Sequence, residues 1–134
     1  MRRARETSPP CKNSIRDRWR VGRISGTITF AHLRKPLTAV SVYVCLEDVG
    51  RADAAAVLVA QQVMHGIGIA DDASRLRFEI PAAARRPNGE YGVRVHVDVD
   101  GDGAVSVGDY TSTQSYRVRG TADAELAITV SEVE

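Results

Sequence analysis

Aromatic residues are scarce in this chain: one tryptophan, two phenylalanines and four tyrosines among 134 residues. Only Trp19 stands among the basic residues near the start, so a surface that stacks nucleic-acid bases is not expected. No apolar run reaches the roughly eighteen residues of a membrane-spanning helix, and none is expected. Near the N-terminus the apolar stretch of about 7–15 residues that marks a secretory signal is also missing. Cysteine is nearly absent. Cys11 and Cys45 form neither a CxxC nor a metal-type spacing, and Cys11 follows Ser-Pro-Pro, unlike a lipid-attachment cysteine. Two independent thiols are the expectation. Catalytic signatures are missing too: there is no G-x-S-x-G elbow, no phosphate-cradling glycine loop and no identifiable carboxylate pair of the hydrolase kind. The expectation is a protein that is not an enzyme.

Charge is balanced overall, at +1, but unevenly distributed. Residues 1–23 carry a net +6 and the remainder −5. A basic leader can touch nucleic acid or anionic lipid, but its composition is that of a solvated segment, so residues 1–20 are expected to form a disordered tail without a nucleic-acid partner. Residues 21–134 then form one domain, long enough to bury a core without disulfide or metal, and expected to be a monomer.

From residue 21 onward the apolar residues recur with period two. Ile24, Ile28 and Phe30 alternate with polar neighbours, as do Val40, Val42, Val44 and Leu46. The same holds for Leu76, Phe78 and Ile80, for Tyr91, Val93, Val95 and Val97, and for Leu126, Ile128 and Val130. Such strands bury one face and wet the other, the antiparallel pattern. Gly26 interrupts the apolar side of its strand, which marks a bulge or a close backbone approach. Val57 to Met64 reads as a strand after an alanine-rich lead-in, and Ser112 to Arg119 as a seventh strand. Turn residues separate these runs at Arg34-Lys35-Pro36, Asp71-Asp72, Arg86-Pro87-Asn88-Gly89 and Gly120-Thr121. The fold expected is all-β: a single antiparallel β-sandwich of about seven strands, immunoglobulin-like or transthyretin-like.

One segment departs from scaffold, VDVDGDGAVSVGDY at residues 97–110. With Asp98 as the first position of a twelve-residue loop, Asp100, Asp102, Gly103, Ala104, Ser106 and Asp109 fall at positions 3, 5, 6, 7, 9 and 12. This resembles the EF-hand calcium loop at every diagnostic position but the last, where Asp replaces Glu. Calcium is a hard cation that takes six to eight oxygens, and this spacing wraps oxygens around one point. Expected ligands are the side chains of Asp98, Asp100, Asp102, Ser106 and Asp109 and the carbonyl of Ala104. Val105 at position 8 is expected to point into the fold. From Asp98 to Tyr110 the segment also resembles dockerin loops, but TSTQSYRV afterwards alternates like a strand rather than continuing as a helix. The ion would then clamp two strands where they diverge at the sheet's edge. His96, two residues before Asp98, is expected to be a surface histidine, and Glu47-Asp48 a solvated strand end.

The segment VSVYVCLEDVGRADAAAVLVAQQ, residues 40–62, resembles the YbaY-type family, related to the YscW lipoprotein chaperones of type III secretion. Leu46, Asp48, Val49, Ala52 and Asp53 match its L-x-D-V-x-x-A-D run, and GRISGTITF, LRFEIP and GEYGVRVHVD follow in the family's order, so the resemblance covers about residues 22–100. It implies a small β-sandwich, a cell-envelope location and, in the secretion branch, a protein partner that is an outer-membrane secretin. The leading expectation is a non-enzymatic calcium-binding module, its ion stabilising the 98–109 loop. An envelope chaperone or secretin pilot in which calcium is incidental is the alternative.

Overall fold

A computed structural model of the chain describes residues 22–33, 35–50, 55–81 and 85–134. Eight strands occupy most of them: β1 (Ile24–Phe30), β2 (Leu37–Asp48), β3 (Val57–Ile69), β4 (Leu76–Ile80), β5 (Glu90–Asp98), β6 (Tyr110–Ser112), β7 (Tyr116–Arg119) and β8 (Ala124–Glu132). No helix occurs among the described residues. The tail, Trp19, Cys11, Arg34 and most of the alanine-rich lead-in lie outside them.

The strands join in one sheet rather than two packed ones. Its order is β3-β2-β5-β6-β8-β1-β4, with β7 also on β5. The ends of this path approach each other, and the backbone N–H of Glu79 on β4 donates to Gln62 Oε1 on β3 at 2.8 Å. A side chain thus bridges the seam, and the sheet is a nearly closed barrel instead of the expected sandwich. It is also mixed: β1 and β8 run parallel, from Ile24 opposite Ala124 to Phe30 opposite Val130. Alternation reports which face of a strand is wet, not the direction of its neighbour, so the expected all-antiparallel pairing fails at this one ladder.

Period two does place the core. Ile28, Val42, Val44, Leu46, Phe78, Val93, Val95, Val97, Ile128 and Val130 are all buried, each contributing about 1.5–3 kcal/mol of apolar transfer. Phe30 and Tyr110 meet edge to face, their ring centroids 5.3 Å apart. Gly26 marks a close backbone approach, since a Cβ there would run into the Leu126 carbonyl oxygen. Val40 breaks the pattern: it is half exposed at the mouth of the barrel, under the loop that follows β5.

The expected seventh strand is split. β6 pairs with both β5 and β8, whereas β7 pairs with β5 alone. Where the strand breaks, side chains take over the ladder: the Val95 N–H donates to Ser112 Oγ at 3.0 Å, and the Thr129 N–H to the Tyr116 hydroxyl at 3.1 Å. Charged side chains on the outer face pair with one another. Arg94 meets Glu47 at 2.6 Å, Arg86 meets Asp48 at 3.0 Å, Arg77 meets Glu125 at 2.9 Å and Arg117 meets Glu90 at 2.9 Å. Glu47 and Asp48 do end β2, but Arg94 on β5 and Arg86 in the turn before β5 hold their carboxylates rather than leaving them in a solvated turn.

Candidate metal site in the loop between β5 and β6

β5 ends at Asp98 and β6 begins at Tyr110, so the twelve-residue ladder starts on a strand and closes just before the next. Neither flank is helical, and the resemblance to EF-hand and dockerin modules stops at the loop. The loop lies within the sheet path, since β5 and β6 are interior neighbours rather than edge strands. An ion here would pin the mouth of the barrel, not the sheet's edge as expected.

The loop folds around its first and last carboxylates. Asp98 and Asp109 are each only 1% exposed. Asp98 accepts the Gly101 N–H on Oδ1 at 3.0 Å and the Gly103 N–H on Oδ2 at 2.8 Å. Gly103, at the sixth position, has φ +78°, which a residue with a Cβ rarely adopts. Asp109 accepts the Val99 N–H on Oδ1 at 3.0 Å and the Ser106 N–H on Oδ2 at 3.2 Å. Asp100 takes the Asp102 N–H at 3.3 Å and the Ser106 hydroxyl at 3.1 Å, while Asp102 takes the Ala104 N–H at 3.0 Å. The bond from the Asp102 backbone, aided by Ser106, holds the Asp100 carboxyl below the usual carboxylate range.

Asp98, Asp100, Asp102 and Asp109 each offer a carboxylate oxygen, and these oxygens all lie within 4.8 Å of one another. Four of the expected ligands are therefore brought together, and Ser106 joins them through Asp100 and Asp109. Ala104 is exposed in the same turn and its N–H is bound to Asp102. Among the described residues no arginine or lysine pairs with any of the four carboxylates, although all five ion pairs made by described arginines serve carboxylates elsewhere. Oxygen donors of this number, charge and spacing suit a hard divalent cation.

Two expectations about the surroundings are corrected. His96 is buried, 7% exposed; its Nε2 stands 2.8 Å from Asp109 Oδ2 and its ring stacks on Tyr43 at 5.7 Å. The loop's return to β5 covers a histidine that the strand pattern alone leaves on the wet face. Its place two residues before Asp98 on the same face was the available signal. Val105, expected to point into the fold, is 53% exposed, because no flanking helix supplies a core for it to enter. His65 Nδ1 lies 3.1 Å from Ser41 Oγ, and Ser41 stands opposite Asp98 in the ladder between β2 and β5. Cys45 is a free, half-buried thiol that burial pushes up in pKa.

No family model matches this chain, and no curated protein matches it. A solved structure described as an alternative pilotin from the type II secretion system of Vibrio cholerae is similar to it, with a TM-score of 0.62 and 21% identity over 86% of this chain and 99% of that one. At this identity the likeness is one of fold. The chain thus shares its all-β architecture with a secretion pilotin, in broad agreement with the secretion-chaperone resemblance of residues 22–100.

Proposed function

We propose that this chain is a pilotin-like binding protein of the cell envelope, whose partner is a segment of a secretin-type protein. The observation that carries this reading is the likeness of fold to a type II secretion pilotin over 86% of the chain. The reading assigns no catalytic step. Its test is titration calorimetry of the purified chain against segments that together span the secretin from the same organism. Saturable one-to-one binding at about micromolar affinity or tighter supports it. No heat of binding up to about 100 μM overturns it.

A second property is proposed alongside: the 98–109 loop binds calcium, which stabilises the mouth of the barrel. Two carboxylates at 1% exposure, sharing a small space with two more and with no arginine or lysine paired to them among the described residues, favour it. Repulsion among carboxylates gathered in this way is relieved by a divalent cation. Asp98, Asp100, Asp102, Ser106 and Asp109 would supply side-chain oxygens and Ala104 its carbonyl. Calcium titration of the chelated protein, followed by calorimetry, tests this reading separately from partner binding.

A further inference from the structure

His96 and Asp98 stand two residues apart on β5, so the period of the strand puts both side chains on one face. The loop brings Asp109 back to that face. Its return is fixed from outside the carboxylate group: the Gly108 N–H donates to the Val133 carbonyl at 2.9 Å, and the Val133 N–H to the Asp109 carbonyl at 2.7 Å. Tyr43, opposite His96 in the ladder of β2 with β5, stacks on the imidazole and holds its plane. All three side chains are buried, and His96 with one carboxylate oxygen from each aspartate offers three ligand atoms within 4.8 Å of one another. Among the described residues the His96 ring makes no hydrogen bond outside this group. A buried imidazole is thus aimed into the carboxylates.

We propose that His96, Asp98 and Asp109 form an inner site for zinc or another late first-row divalent cation, distinct from the calcium ladder proposed for the rim of the same loop. Donor chemistry separates the two ions. Calcium takes oxygen, whereas an imidazole nitrogen suits zinc, nickel or copper. Charge separates them as well. Two carboxylates and a neutral imidazole exactly neutralise a buried dication, while the four carboxylates of the ladder leave calcium with two negative charges in excess. Around a tetrahedral zinc, with bonds of about 2.0–2.1 Å, neighbouring donors stand about 3.3 Å apart. The 2.8 Å between His96 Nε2 and Asp109 Oδ2 has to widen by about half an ångström to admit the ion, a small side-chain rotation. Three protein donors leave the fourth position to water. The site shares Asp98 and Asp109 with the calcium ladder but needs none of Asp100, Asp102 and Ser106, so it does not depend on calcium binding.

Cobalt, which occupies zinc sites and reports its coordination through visible absorption, tests the proposal on the full chain freed of metal by chelator. Cobalt is expected to give the intense bands of a low-coordinate ion, and added zinc to abolish them. His96→Gln, which keeps a hydrogen-bond donor toward Asp109, removes the nitrogen ligand and should weaken both ions by about tenfold or more. His65→Gln should leave the cobalt bands in place. Asp102→Ala should also leave them in place while removing the response to calcium, so the two metal readings fail separately. Imidazole nitrogen NMR on the wild type reads the ligand without substitution: zinc must shift the His96 Nε2 resonance. A cobalt spectrum that stays that of the hydrated ion up to about 100 μM, a His96 nitrogen unmoved by zinc, or a folded His96→Gln chain that binds both ions as the wild type does would each overturn the proposal.

Discussion

His96 on β5 and Asp109 at the end of the following loop form a buried pair, Nε2 to Oδ2 at 2.8 Å, that ties the return of the loop to the strand it left. Asp109 also accepts the N–H groups of Val99 and Ser106, so one carboxylate sets both ends of the loop. The loop is therefore organised by its own hydrogen bonds, and any cation would meet ligands already gathered.

Asp109→Ala strands these groups in a buried setting. Leaving buried donors unsatisfied costs about 1–3 kcal/mol each before water relieves part of it, so a loss of about 2–4 kcal/mol is expected. Urea unfolding in chelator measures it. Asp102→Ala, which removes an exposed carboxylate holding only the Ala104 N–H, should cost under about 1 kcal/mol there.

Calcium should raise the melting temperature. Binding only to the folded loop stabilises by about 2.7 kcal/mol at 100 times the dissociation constant, which corresponds to about 5 °C for a domain of this size. Asp100→Ala or Asp102→Ala should abolish the increment. Asp72→Ala, in the turn before β4, should leave it intact. Scanning calorimetry at constant ionic strength separates binding from screening, and identical curves in calcium and in chelator would remove the calcium reading.

Gly26→Ala should destabilise by about 2 kcal/mol or more, because the added methyl meets the Leu126 carbonyl and backbone cannot give way as a side chain can. The same change at Gly68, where no atom of the chain stands within 4 Å of the new methyl, should be far milder. Chemical denaturation of the two variants compares them directly.

Glu125 supplies a pH test remote from the loop. Hydrogen bonds from Arg77 and then Ser25 hold its carboxyl below the usual glutamate value of 4.5. A depressed carboxyl contributes stability that is present above 4.5 and is lost as pH falls through the lower folded value. Side-chain NMR titration should find Glu125 below 4.5, and Arg77→Ala should move it upward.

Local pattern carried much of the fold. The inward residues of β4, β5 and β8 follow directly from alternation, because burial of one face has the same period as the strand itself. Gly26 announced a bulge or a close approach without saying which, or to what. The aspartate ladder was legible because ligand spacing in a loop is a property of consecutive residues, and the structure gathers the four carboxylates that the spacing selected.

What the sequence determined alone was therefore the all-β class, most of the core and the membership of the acidic loop. Tertiary structure decided which strands became neighbours: the parallel match of β1 with β8, the seam where Gln62 meets Glu79, the burial of His96 and the exposure of Val105. Those outcomes join residues 17 to 100 positions apart or depend on what covers a face. Period-two patterning states that a face must be covered, and only the closed arrangement of the whole sheet selects what covers it.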